Sequence, residues 1–155
     1  MSIETQTHRH APSLRWRNVR NCAARYRERI ARRCISQTKS GHCGCVVEES
    51  HRVNIRVLSD LIGSAWLSFT QPDRVRSELG VETGAVAPFA VINDTDGNIN
   101  VVLDAEVMAA DTTYFYPLVN DQTTAIAPAD PRRALEAGAQ HPRTLDLSCA
   151  TAKPD

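Results

Sequence analysis

The stretch GVETGAVAPFAVINDTDGNINVVLD, residues 80–104, decides how this chain is read. Residues 80–88 are mostly small and hold two glycines and a proline, which predicts a loop rather than a regular element. Residues 89–92 (FAVI) and 99–103 (INVVL) are apolar and rich in β-branched side chains, so both read as strands. Between them Asn93-Asp94-Thr95-Asp96-Gly97-Asn98 is a run of turn formers, and the three pieces together predict a hairpin.

Outward from this stretch, the same reading continues in both directions. Residues 114–117 and 123–127 are expected as strands around Leu118-Val119-Asn120. Residues 128–137 predict a helix stopped by Gly138, with Pro131 tolerable only in its first turn, and residues 143–147 a last strand. On the other side, residues 53–57 alternate like a strand. Asn54 is nevertheless a ready N-cap, and Ile55, Leu58, Leu61 and Ile62 recur at helical spacing before Gly63, so a helix is preferred. Residues 66–69 read as a short strand. Pro72 then opens a helix whose Val75 and Leu79 share a face and which Gly80 ends. Short strands interleaved with short helices predict an α+β domain on a mixed or largely antiparallel sheet.

With 155 residues, 42% apolar and 23% charged, the chain has the composition of one soluble globular domain. Neither a secretory leader nor a membrane span is expected, which makes the cytoplasm the default location. The net charge of zero conceals an asymmetry: residues 1–45 carry nine Arg and one Lys against Glu4 and Glu28, whereas residues 46–155 are acidic. Residues 1–12 are expected to be loose. Residues 14–33, with eight Arg, read either as a basic helix for RNA, with Trp16 and Tyr26 available to stack, or as a disordered basic arm. Arg15, Arg17, Arg20, Arg25 and Arg27 are the first candidates for phosphate contacts. Four of the five cysteines fall in the first third. His42-Cys43-Gly44-Cys45 with Cys34 or His51 could supply four metal ligands, but the spacing is not that of a standard zinc module, and no metal site is assigned.

No hydrolase nucleophile motif, P-loop, zincin helix or dinucleotide fingerprint is present. The ordered blocks VVEESHRVNIRVLSDLIGSAWLSF, GVETGAVAPFAVINDTDGNINVVLDAEV, FYPLVNDQTTAIAPAD and HPRTLDL instead resemble the YbaK/ProX family of aminoacyl-tRNA deacylases over residues 46–147. Free-standing prolyl members of that family carry GVxPGSVTPFxLIND, VVLD and NFHPLxNTATTAI. The resemblance implies a mixed, barrel-like sheet with surrounding helices. It also implies hydrolysis of a mischarged amino acid, alanine on tRNA-Pro, with tRNA and prolyl-tRNA synthetase as partners and neither metal nor cofactor. Gly84, Ala85, Val86 and Pro88 would wall the amino-acid pocket, with Asn93 and Asn120 as polar positions beside it. As readings of the residues alone, Asn93 is equally a turn residue and Asn120 a loop cap.

Three departures from the family pattern follow. The loop TGAVAPF lacks the family's proline and two hydroxyls, and Tyr116 stands where the family has a histidine. The family's HTKNLFLKDKKGxLWL segment, which bears its catalytic lysine, has no recognisable counterpart before Val46. Gap-free counting places that lysine at Arg32, in a stretch with no other match, so no catalytic residue is assigned. The codons of residues 37–45 admit another reading. Taken from the third base of the Gln37 codon, with TCN for Ser40, they allow Asp-Lys-Ile-x-x-Leu-Trp-Leu directly before Val46-Val47. The domain reading is therefore threefold: residues 1–45 as a disordered basic or out-of-frame segment, 46–147 as an editing domain, and 148–155 as a disordered tail. The alternative function is a non-catalytic tRNA-binding protein using the Arg-rich arm.

Overall fold

The computed structural model describes residues 3–10, 29–38, 41–48, 51–64 and 66–152. The strands are β1 (Thr5–Arg9), β2 (Arg29–Thr38), β3 (Gly41–Glu48), β4 (Arg52–Val53), β5 (Ser68–Phe69), β6 (Ile99–Asp104), β7 (Thr113–Phe115), β8 (Gln122–Ile126), β9 (Arg143–Leu145) and β10 (Thr151–Ala152). The helices are α1 (Ile55–Ile62), α2 (Pro72–Leu79), α3 (Ala105–Met108) and α4 (Ala129–Ala137). Two 3-10 segments, Thr83–Ala85 and Pro88–Asn93, lie between α2 and β6.

The main sheet runs β1-β8-β7-β2-β3-β6-β9, with β5 paired to β2. It is mixed: β2–β3 and β7–β8 are antiparallel, whereas β2–β7, β3–β6 and β6–β9 are parallel. Among the described residues the end strands β1 and β9 do not pair, so the sheet is open and the barrel-like closure expected from the family resemblance is not found. No described helix is long and apolar enough to cross a membrane.

Strands β3 and β6 form the middle of the core because both of their faces are covered. Ile99, Val101 and Leu103 join Val46, Leu79, Val91, Phe115 and Leu135 on one side. Val102 joins Cys43, Cys45, Val47, Leu58 and Leu147 on the other. A strand buried on both faces needs no polar alternation, which is the physical reason for the continuous run Val101-Val102-Leu103. Helix α1 forms as its caps dictate. Asn54 Oδ1 accepts from the amides of Arg56 and Val57 at 3.1 and 3.3 Å, and Gly63 ends the helix at φ +73°. Gly80 does the same for α2 at φ +65°, its amide donating to Arg76 O at 3.0 Å.

Several sequence expectations are corrected. Residues 89–92 are not a strand and there is no hairpin: the segment is the 3-10 helix Pro88–Asn93, and β6 finds its partners in β3 and β9. Its buried positions, Pro88, Ala90 and Val91, do not alternate, and Ile92 is 64% exposed. The turn itself is real. The Asp94 carboxylate accepts from the Asn98 and Ile99 amides at 3.1 and 2.7 Å and delivers the chain into β6. Residues 5–9, expected to be loose, pair as β1 with β8, from Thr5 opposite Ile126 to Arg9 opposite Gln122. Residues 29–33, expected as helix or arm, belong to strand β2, and residues 41–45 to β3. The rest of the Arg-rich segment, including Arg15, Arg17, Arg20, Arg25 and Arg27, lies outside the described residues. Within the tail expected to be disordered from residue 148, Thr151–Ala152 form strand β10. The Asn54 amide donates to Ala150 O at 2.7 Å and β10 pairs with β4.

Candidate functional site

The small-residue loop after α2 does what its composition allows: it lies close against the sheet. Val86, Ala87 and Pro88 line a small apolar hollow whose other walls are Gly44, Cys45 and Val46 of β3, Ile99 and Val101 of β6, and Leu79 and Val91. Ala85 is buried behind this wall. The lining holds no carboxylate, imidazole or amine, so the hollow is apolar and offers no general base of its own.

Gly84 faces a polar neighbour. A Cβ built on it would lie 3.9 Å from Asn120 Nδ2, so the carboxamide of Asn120 borders the loop where the backbone carries no side chain. Asn93 takes a different part. Its Nδ2 donates to Leu79 O at 2.7 Å, tying off the last turn of α2, and it borders a polar cleft with Arg74, Ser77 and Asp96 rather than the apolar hollow. Gly84, Ala85, Val86, Pro88 and Asn120 are thus brought together, and Asn93 serves the helix end. Tyr116 does not line the hollow either: it packs with Tyr114, and its ring lies 6.4 Å from that of His10. Between Tyr116 and Asn120, Leu118 holds φ +66°, a costly conformation for a residue with a Cβ, and it packs on the main core.

An exposed ion pair fastens the loop to α2. The Arg76 guanidinium meets both Glu82 oxygens at 2.9 Å. That hydrogen bonding and charge hold the Glu82 carboxyl below, and the Arg76 guanidinium above, their ordinary values.

Two contributions were missed in the sequence. Gly44 enters the hollow only because β3 lies parallel to β6, a pairing of distant segments that no local pattern announces. His10, whose Nε2 lies 2.8 Å from Thr123 Oγ1, arrives beside Tyr116 through the pairing of β1 with β8. The alternation of TQTHR was the available signal for that strand. Of the cysteine-based metal set, Cys43 and Cys45 are buried among Val47, Leu58 and Leu147 and His51 stands with Asp104 and Glu106, while the side chains of Cys34 and His42 lie outside the described ones.

Comparison with known proteins places the chain in a family. The profile of the aminoacyl-tRNA editing domain matches residues 19–134, beginning inside the Arg-rich segment. The chain is 28% identical over 106 residues to the prolyl-tRNA editing protein ProX of Acetoanaerobium sticklandii, covering 68% of this chain and 65% of that protein. It is 33% identical over 81 residues to prolyl-tRNA synthetase associated domain-containing protein 1 of Danio rerio, covering 51% and 44%. The chain therefore spans less than two thirds of the length of these curated relatives. In fold it is similar to a crystallised hypothetical protein at TM-score 0.72 and 19% identity, over 96% of this chain and 92% of the other. A candidate trans-editing enzyme for prolyl-tRNA synthetase gives TM-score 0.68 at 15% identity, over 92% and 86%.

Proposed function

Because this chain belongs to the aminoacyl-tRNA editing domain family, we propose that it acts in trans as a deacylase, hydrolysing the ester between a mischarged amino acid and the 3′ end of tRNA, with alanyl-tRNA-Pro as substrate. The observation that carries this reading is the wall formed by Val86, Ala87 and Pro88 over an apolar hollow, with the Asn120 carboxamide beside Gly84. An alanine methyl is the kind of group such a small apolar recess accepts. Water attacks the acyl carbon, the ester C–O bond breaks, and the amino acid and the tRNA hydroxyl depart. The tetrahedral oxyanion formed on the way needs preorganised donors, for which the Asn120 amide and the backbone N–H groups of residues 84–88 are the candidates.

The reaction is slow in this chain. The hollow supplies no base, the family's lysine has no assigned counterpart, and Tyr116 stands at the family's histidine position, where a neutral phenol takes up a proton far less readily than an imidazole. The partners in this reading are the aminoacylated tRNA end and prolyl-tRNA synthetase, which produces the error. Incubation of the purified chain with alanyl-tRNA-Pro tests it. Release of alanine above the buffer rate, and lost in Gly84→Val, is expected. Salt-sensitive tRNA binding with no release above buffer would replace the deacylase by a tRNA-binding protein working through its Arg-rich segment.

A further inference from the structure

We propose that His51, Asp104 and Glu106 form a binding site for a divalent transition-metal cation of the zinc type, separate from the apolar hollow. The three residues each present one donor atom, and these atoms all lie within 4.8 Å of one another. His51 Nδ1 is 3.8 Å from Glu106 Oε2. Three elements build the cluster: the turn leading into β4 supplies His51, the end of β6 supplies Asp104, and the first turn of α3 supplies Glu106. The hollow is lined from Ile99 and Val101 of the same strand. Asp104 lies five residues beyond Ile99, about 16 Å further along at the usual strand rise.

The second observation is the state of Asp104. Its side chain is 1% exposed, and while Oδ1 accepts from the Glu106 amide at 3.1 Å, Oδ2 is buried without a well-formed hydrogen bond, the Leu147 amide acting on the carboxyl without meeting hydrogen-bond geometry. A buried carboxylate oxygen left in this state costs free energy unless a proton or a cation satisfies it. No lysine or arginine forms an ion pair with Asp104 among the described residues. Burial, with the Glu106 charge adding to it, pushes the Asp104 carboxyl above its ordinary value, against the opposing amides of Glu106 and Leu147 and the His51 ring. A cation among these groups would neutralise the two carboxylates and fill the vacant lone pair in one step.

Donor chemistry selects the ion. One imidazole nitrogen with two carboxylate oxygens suits zinc and its neighbours, whereas magnesium and calcium prefer all-oxygen shells. Donors sharing a tetrahedral ion at about 2.0–2.2 Å stand roughly 3.3–3.6 Å apart, so a small inward movement closes the set. Three protein ligands leave a fourth position for water. This site stands independently of the editing reading.

The test uses the full chain freed of metal with a chelator, titrated with Zn²⁺ by calorimetry and followed by thermal unfolding, with Co²⁺ as a spectroscopic probe. One ion per chain, a rise in Tm and a cobalt spectrum of nitrogen and oxygen ligation are expected. Glu106→Gln, at a partly exposed position that leaves the fold intact, should weaken binding at least tenfold, and Asp104→Asn should weaken it further. Three results would each overturn the site: no Tm change with zinc, unaltered affinity in Glu106→Gln, or a cobalt spectrum dominated by thiolate charge transfer, which would transfer the binding to cysteine.

Discussion

Gly84 and Asp104 are the two residues on which the proposed activity and the proposed metal site turn, and each can be probed singly. At Gly84 an added Cβ meets only Asn120 Nδ2, at an ordinary 3.9 Å, so alanine is tolerated. The branched methyls of valine would push into the carboxamide. Gly84→Val should cut deacylation of alanyl-tRNA-Pro about tenfold or more, roughly 1.4 kcal/mol of transition-state stabilisation, with Tm little changed. A single-turnover assay beside a melting curve separates the two effects. Asp104 makes a prediction in pH for the metal-free chain. Its raised folded-state pKa means that the native state holds the proton more tightly than the unfolded chain, so stability is lost as pH rises through the folded-state value. Asparagine keeps the acceptor for the Glu106 amide and carries no charge. Asp104→Asn should therefore be at least as stable as the parent at pH 7 in chelator, with any advantage shrinking as the pH falls toward the ordinary carboxylate range. Urea unfolding across pH measures this, and an advantage that grows on acidification would contradict the sign.

At the scale of elements, α1 and β3 carry the sharpest expectations. Helix α1 has only eight residues and depends on its caps. Asn54→Ala removes the acceptor for two amides and should cost about 1 kcal/mol, lowering Tm by about 3 °C in a chain of this size. Strand β3 is hydrogen-bonded on both sides, antiparallel to β2 and parallel to β6, and its Cys43, Cys45 and Val47 side chains are buried. Amides of residues 43–47 should accordingly be among the slowest in the protein to exchange. Rapid exchange there would restore the picture of a loose segment before Val46. The loop that walls the hollow is an element of a different kind. It is held by its ion pair to α2, by the Asn93 bond to Leu79, and by contacts of the Pro88–Asn93 segment with α2 and α4.

On the scale of the whole molecule, the first forty-five residues supply, where described, strands β1, β2 and the start of β3, although their composition differs from that of the rest of the chain. The out-of-frame reading of residues 37–45 places Leu, Trp and Leu over Cys43, Gly44 and Cys45. The two leucine positions coincide with side chains that are 1% exposed and face the second core cluster. The Asp-Lys start of that reading falls on Thr38, the last residue of β2, and on Lys39, which lies outside the described residues. The out-of-frame register is a proposal: buried cysteines fill these positions as they stand, and the family profile matches the sequence as given from residue 19. Sequencing the coding DNA tests it: one frame over, residues 14–45 should spell a lysine-bearing HxKNLFLKD-like stretch without a stop codon. A stop codon there, or no such motif, would leave the Arg-rich segment as a purpose-built part of the chain.

What the sequence determined alone were features whose causes are local. Asn54 with Gly63 marked α1, Pro72 with Gly80 marked α2, the β-branched run 99–103 marked β6, and the ordered motifs marked the family. Each follows from caps, periodicity or backbone preference acting over a few residues. Only the tertiary structure decided where those elements meet. Residues 89–92 have strand-like composition, yet Pro88 and the need to cover Val75 and Leu79 of α2 turn them into a 3-10 helix. Asn93 ties off the last turn of α2 because that helix ends beside it. Gly44 reached the hollow, His10 reached Tyr116 and His51 reached Asp104 through contacts between segments far apart in the chain. The reason is physical: hydrogen bonding between distant strands and burial of both faces of β3 and β6 are properties of the assembled sheet, and no local window of sequence contains them.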